Sequence, residues 1–390
     1  MRQKVVIIGG GVIGSAAAYF TLTDPAFEGE VTVIERDPTY TRASSALSAS
    51  SIRQQFSSPI NVRMSGFGFD FLRSAPDLLA VGGERPEFGL VEQGYLFLAS
   101  PGGVAVLEEN HRVQTANGAK VALLDPAGLR SRFPWLSTEG IALGALGISG
   151  EGWFDGYSLL QALRRKARSL GATYVTAEAS GFGMQDERIR ALRLADGSAL
   201  ACDVCVNAAG PWAQHPAAWL GIDLPVRARR RCVFVVTCPQ RIDKAPLLID
   251  PSGAYFRPEG AGFICGVSPP EHDDPDDHPL EVDYRLFDDV VWPALAARVP
   301  AFEALRQTSA WAGYYEYNTF DQNGIVGCHP GVRNFVFANG FSGHGIQQSP
   351  ATGRAVSELI VHGGYRTLDL APLAFERIAE NRPLVERNVV

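Results

Sequence analysis

Nowhere in the 390 residues does an apolar run reach the ~20 residues that a membrane-spanning helix needs. An excess of basic charge is also missing. Thirty-five Lys and Arg against 42 Asp and Glu leave a formal charge of −7, the wrong sign for a nucleic-acid partner. Cysteine is sparse. The six present, Cys202, Cys205, Cys232, Cys238, Cys265 and Cys328, cannot staple so long a chain as a disulfide scaffold. Cys202 and Cys205 have redox-motif spacing, but they stand in an apolar run, ALACDVCVNAAG, that reads as a strand. Positions three apart on a strand face opposite ways, so both are expected to be core cysteines. A secretory signal is not expected either. Arg2 and Lys4 do precede VVIIGGGVIGSAAAYF, but three successive glycines would break the apolar helix of such a segment.

Glycine is abundant, at 41 residues, and 46% of the chain is hydrophobic. The length suits two or three domains, each with a sizeable core. Lys4 to Ile8 is a short β-branched run that reads as a buried parallel strand. Gly9, Gly11 and Gly14 follow in GxGxxG spacing, then a helix over Ser15 to Leu22 and a second strand, VTVIE, ending at Glu35. Gly14 to Glu35 spans 21 positions, close to the ~20 of a dinucleotide-binding unit. Gly9 allows the tight turn, Gly11 a close approach to a pyrophosphate, and Gly14 close packing of helix on strand. The motif does not choose between NAD and FAD.

RASSALSASSIRQQFSSP is rich in small residues, and Ile52, Phe56 and Ile60 have helical spacing. The spacing predicts a helix beside a flat ligand, with Ser44 and Ser45 near its start. A helix of the ALRRKARSLG type ends at Gly171, and Asp196-Gly197 marks a hairpin. Strand-like runs dominate from Arg227 to Ile325, and NFVFANGFSGHGIQQSPATGRAVSELI reads as strand, glycine-rich turn and helix. The fold class expected is α/β. A discontinuous Rossmann-like FAD-binding domain would take 1–85, 150–220 and 328–390, and an antiparallel β-sheet substrate domain 86–149 and 221–327.

GGGVIG, NAAGPW and GFSGHGIQQSPATGRA, in that order, resemble the D-amino-acid oxidase superfamily. Its members include sarcosine and glycine oxidases, dimethylglycine dehydrogenase and D-amino-acid dehydrogenases. The resemblance implies FAD and oxidation of a C–N bond next to a carboxylate. ALSASSIRQQFS, EVDYRLFDDVVWPALAARVPAFEALR and WAGYYEYNTFDQNGIVG further resemble a mitochondrial animal branch implicated in respiratory complex I assembly. This chain has no long transit segment before Val5, so a bacterial, cytoplasmic relative is expected.

By that resemblance Gly9, Gly11 and Gly14 would hold the pyrophosphate, Glu35 the ribose, and Arg36 would border the adenine. Ser44 and Ser45 would contact phosphate or flavin, and the amide of Ala179 would read adenine. Ala209, Gly210 and Trp212 would approach the cofactor. Gly343, His344, Gly345, Ile346 and Gln347 would bring amides to the flavin pyrimidine, where charge builds as the ring accepts a hydride. Covalent members attach flavin through a histidine near the serine-rich segment or a cysteine before NTFDQNG. The first segment has no histidine and Tyr314 or Tyr315 takes the second place, so FAD is expected to be non-covalent.

Ile264 stands where monomeric sarcosine oxidase has an oxygen-activating lysine, which implies an electron acceptor other than oxygen. Tyr315 stands where glycine oxidases carry a carboxylate-binding arginine. By the same resemblance the catalytic candidates are Arg53, in the place of a carboxylate-binding arginine of sarcosine oxidase and able to hold a carboxylate bidentately, and Tyr255, Tyr315 and Gln347 around the substrate. His344 is expected to orient its turn rather than titrate. The loop His272 to His278 reads as solvated, not as a metal site. The expected reaction is hydride transfer from a small amine or amino acid to flavin. The alternatives are a flavoprotein retained as a respiratory-complex assembly or scaffold factor with little turnover and, more weakly, an NAD-dependent dehydrogenase.

Overall fold

The structure, a computed structural model, describes residues 2–388. Gln3–Ile8 is a strand buried from Val5 onward, as its unbroken run of branched residues requires. It lies inside a six-stranded sheet whose order is Ile325–Cys328, Phe335–Asn339, Val204–Asn207, Gln3–Ile8, Gly29–Glu35 and Thr173–Thr176. Every pairing in it is parallel except that of the first two strands. Ile8 is level with both Asn207 and Ile34. The central strands therefore stop along one edge, where ligands of such sheets bind.

Three helices pack together on this sheet through small residues. A Cβ on Gly353, in the helix Gly345–His362, would lie 2.6 Å from the backbone of Ala16 in the helix Val12–Thr23. A Cβ on Gly68, in the helix Pro59–Leu78, would collide with the carbonyl of Gln347. These crossings explain the glycine and alanine content of both motif helices.

The second large sheet has eight strands, in the order Arg306–Asn318, Val226–Thr237, Gly262–Gly266, Tyr255–Glu259, Leu247–Ile249, Tyr95–Ala99, Leu143–Ser149 and Lys120–Leu124. It departs from the expected antiparallel pattern at one joint. Leu247–Ile249 and Tyr95–Ala99 pair in parallel, where two distant stretches of chain meet and cover each other's open edge. A separate three-stranded meander, Ala179–Gln185, Arg188–Leu194 and Ala199–Ala201, contains the hairpin expected at Asp196-Gly197.

The helix expected through Ile52, Phe56 and Ile60 does not form. Only Ser44–Leu47 makes a helical turn, and Ser51–Ile52 pairs with Gly152–Trp153. The next helix starts at Pro59, and Ser58 before it is extended, as a residue preceding proline prefers. All three apolar side chains are buried nonetheless, from three different backbone settings. The two cysteines need a smaller correction. Cys202 precedes the strand Val204–Asn207 instead of lying in it, and both thiols share one buried apolar cluster. Among the described residues, no helix is long and apolar enough to cross a membrane.

Candidate active site

A cavity of about 820 Å³ opens at the carboxyl edge of the parallel sheet and runs toward the second sheet. Gly9 has φ +98°, and any Cβ there would strike the carbonyl of Ala208. Gly14 is equally constrained against the carbonyl of Gly9, so it seats the helix and does not line the cavity. The helix Val12–Thr23 has no side-chain cap on Gly11. Its first amides therefore lack intrahelical acceptors and carry the positive end of the helix dipole. Val12 N–H is met by Ser45 Oγ at 3.1 Å. Glu35 accepts from the amides of Gly10 (2.8 Å) and Asp37 (2.9 Å), which fixes its carboxylate at the cavity wall.

The helix Gly345–His362 repeats this arrangement, with no side-chain cap at His344 and no acid in its first turn. Gly343, at φ +92°, lets the turn press on Tyr315, whose ring would be 2.5 Å from a Cβ there. Two uncapped helix starts thus open on one cavity.

Most of the sequence candidates meet here. Gly9, Gly11, Glu35, Arg36, Ser44 and Ser45 line one part of the wall, and Ala179, Ala209, Gly210 and Trp212 another. Gly343, Gly345, Ile346, Tyr255 and Tyr315 complete it. The Arg36 guanidinium lies over the Trp212 ring at 4.0 Å, which rigidifies a flat, cationic rim.

Arg53, His344 and Gln347 lie behind the wall, contrary to the reading of Arg53 and Gln347 as substrate contacts. Arg53 is buried, stacked 4.2 Å over Phe56, and donates to the carbonyls of Gln55 and Asn388. Each terminal nitrogen thus gives one bond to a backbone carbonyl. The Gln347 side chain accepts from the Arg53 amide at 2.8 Å, tying the helix start to this segment. His344 packs edge-on to Phe56 and sits 3.4 Å from Arg53. Burial, reinforced by the Arg53 charge, holds its pKa far below the usual imidazole range. The ring is therefore neutral and orients the turn.

Three groups were missed in the sequence. Arg231 lines the cavity and is held by Asp274 through two bonds of 2.7 and 2.8 Å. Asp274 belongs to the loop read as solvated, and it is buried because Arg229 and Arg231 both need a counter-charge. Glu316 also lines the cavity and accepts from Gly340 N–H at 3.2 Å. Burial pushes its carboxyl up to about 8, against backbone hydrogen bonds that pull it down. Glu151 lies outside the cavity beside Gln54 and Gln55, and burial lifts it to about 7. Arg231 and Glu316 stand within strands and Glu151 in the turn between two, and the local sequence marks none of the three as buried.

A profile described as FAD dependent oxidoreductase (DAO) matches residues 4–359. The chain belongs to that family. This FAD-dependent oxidoreductase is 46% identical to the FAD-dependent oxidoreductase domain-containing protein 1 of Xenopus laevis, over all of this chain and 85% of that protein. It is 28% identical to the glycine oxidase of Geobacillus kaustophilus, over 96% of this chain and 97% of that one. Among solved structures, the L-proline dehydrogenase from P. horikoshii superposes with a TM-score of 0.86 at 25% identity, covering 98% and 99% of the two chains.

The residues present fit FAD on their own evidence. Ser44 Oγ and Tyr40 OH belong to the wall and, among the described residues, are buried without a hydrogen-bond partner. The glycine turns leave room where a Cβ would intrude, and the amide donors suit phosphate at one helix start and an electron-rich ring at the other. Among the described residues, no cluster of His, Cys, Asp or Glu is placed to hold a metal.

Proposed function

We infer that this FAD-dependent oxidoreductase oxidises the C–N bond of a small amine or amino acid and works as a dehydrogenase. The observation that carries this reading is the continuity of one cavity, from the glycine turn at Gly9 through the second helix start to Tyr255 and Tyr315. Bound FAD supplies the hydride acceptor. The substrate gives up a hydride from the carbon next to nitrogen, the nitrogen lone pair closes a C=N bond, and water then hydrolyses the imine. The chain's part is positioning. The amides of Gly343, Gly345 and Ile346 would stabilise the charge that builds on the acceptor, while that of His344 is spent on the carbonyl of Phe341. Tyr255 and Tyr315 wall the substrate in; burial raises the pKa of both, so they stay neutral donors.

Proteins named for glycine oxidation and proline dehydrogenation, similar along nearly their whole length, support the amine class. The test is anaerobic bleaching of the flavin by a panel of amino acids, N-methyl amino acids and simple amines. Bleaching by at least one supports the reading. A flavin that none of them reduces would leave the scaffold role.

FAD is held without a covalent bond in this reading. Acid precipitation should release all the yellow colour into the supernatant, and flavin remaining in the pellet refutes it. An acceptor other than oxygen is favoured by the absence of lysine from the cavity wall among the described residues. Ile264 itself is buried in its strand. Turnover with a quinone or dye should exceed peroxide formation with dissolved oxygen, and the reverse ranking overturns the dehydrogenase reading.

A further inference from the structure

We propose that Glu316 takes up a proton when the flavin is reduced, so that the cavity wall, and not the ring alone, sets how the reduction potential follows pH. The proposal rests on FAD and not on the amine-oxidation reading, because any two-electron reductant brings the same charge to the ring.

The geometry puts this carboxyl at the second helix start. Glu316 lies on the strand Arg306–Asn318, level with Ala228, and its main-chain carbonyl accepts from Ser342 at 3.0 Å. Its side chain lines the cavity with Gly210, Gly343 and Gly345. A Cβ on Gly345, the first residue of the helix Gly345–His362, would lie 2.9 Å from Oε1 of Glu316, and one on Gly210 4.0 Å from Oε2. Side chains there would crowd the carboxyl, and glycine keeps them away. Gly340 N–H gives it one bond at 3.2 Å and the amide of Phe341 gives another. Neither amide titrates, so the carboxyl can gain or lose its proton in place.

The charges around it are settled elsewhere. On its own strand the side chain flanking it on the same face is Tyr314, whose hydroxyl donates to the carbonyl of His278 at 2.8 Å. On the paired strand it is Arg230, turned toward His278, Glu281 and Asp283. Across the cavity Arg36 lies over Trp212. In the turn, His344 is kept neutral by burial and by Arg53. The arginines stay charged at every pH of interest. Glu316, lifted by burial to about 8, is thus the acid at this spot that changes charge just above neutrality.

In alkaline medium a flavin takes two electrons and one proton and becomes an anion. With the ring at the second helix start, that new charge lies beside Glu316 and raises its proton affinity, on the order of tenfold for one pKa unit. Above about 8 the carboxylate then draws a second proton from solvent and becomes a carboxyl, with no bond made to the flavin. The reductant supplies both electrons. By reciprocity, the proton on Glu316 raises the ring's affinity for electrons by the same factor. Below about 8 the carboxyl is already neutral, and reduction takes nothing extra.

The test is a reductive titration of the holoenzyme with dithionite and reference dyes, in steps from about pH 7 to about 9.5. Over roughly the first pH unit above about 8, the wild-type potential should fall twice as steeply as just below it, at two protons for two electrons in place of one. Glu316→Gln, neutral at every pH, should keep the shallow slope throughout. Reduced-minus-oxidised infrared spectra at about pH 8.5 should show a carboxylate band lost and a carboxyl band gained in the wild type, and neither in the variant.

A wild-type slope that stays shallow overturns the proposal without any variant. Equal steepening in Glu316→Gln overturns it too, since another group then takes the proton. If Glu316→Gln does not retain flavin, Glu316→Asp decides: it should keep the steep branch with a moved onset, and an unmoved onset rejects Glu316. Steepening that depends on Glu316, with no flavin bleached by any amine, keeps this proposal and rejects the amine-oxidation reading. The two claims thus fail separately.

Discussion

Glu316 is a buried carboxyl held, among the described residues, by the backbone amides of Gly340 and Phe341 and not by a cation. Its pKa is raised from 4.5 to about 8, so between those values the folded protein binds a proton that the unfolded chain has released. The stability it contributes is fully present below its ordinary pKa and is lost as pH rises through about 8. Glu151, lifted to about 7, gives the same sign over a lower window. The melting temperature should therefore fall as pH rises from about 4.5 to about 8, and Glu316→Gln should flatten the fall within that window. Calorimetric scans across pH check this, and identical slopes for both proteins would remove Glu316 as the cause. Neither group was legible from sequence. A glutamate in YYEYN reads as strand-surface charge until the turn at Gly340 is folded over it. Arg231 was hidden for the same reason, since its partner Asp274 lies 43 residues away in a loop that composition marks as solvent-facing.

At the scale of elements, the glycine turns were legible because their chemistry is local. A strand, a GxGxxG and a helix start within a dozen residues, and Gly9 and Gly343 take positive φ as such turns need. The serine-rich segment failed because its outcome is set by distant partners. Ser57 and Ser58 donate to Glu386, 328 to 329 residues on, and the helix waits for Pro59. No periodicity in RASSALSASSIRQQFSSP carries that information. The second turn gives a sharp prediction. Gly343→Ala brings a methyl group to 2.5 Å from the Tyr315 ring at φ +92°, an overpacking of about 1–3 kcal/mol before backbone strain is added. The variant should melt lower and lose flavin on gel filtration. Full flavin retention would show that the turn yields without disturbing the cavity.

Over the whole molecule, the tail is part of the core. Glu386 is buried and accepts from the main chain and hydroxyls of Ser57 and Ser58 and from Asn61, while Asn388 bonds the Arg53 guanidinium. Glu386→Ala orphans these donors, at about 1–3 kcal/mol for each that water does not reach. It should lower the melting temperature and open the tail to limited proteolysis near residues 384–388. An unchanged digestion pattern would mark the contact as passive. The strand order of the six-stranded sheet also has a consequence in time. The strand Val204–Asn207 sits between Gln3–Ile8, made first, and Phe335–Asn339, made among the last. A nascent chain that has displayed the first glycine turn still lacks the second helix start and the neighbour that closes its sheet. Pairings this far apart in sequence form slowly. On the ribosome the cradle stays half built until residues 345–362 emerge, so FAD has no complete seat before then. A message truncated before that point yields a chain with the nucleotide signature and no place to keep the flavin.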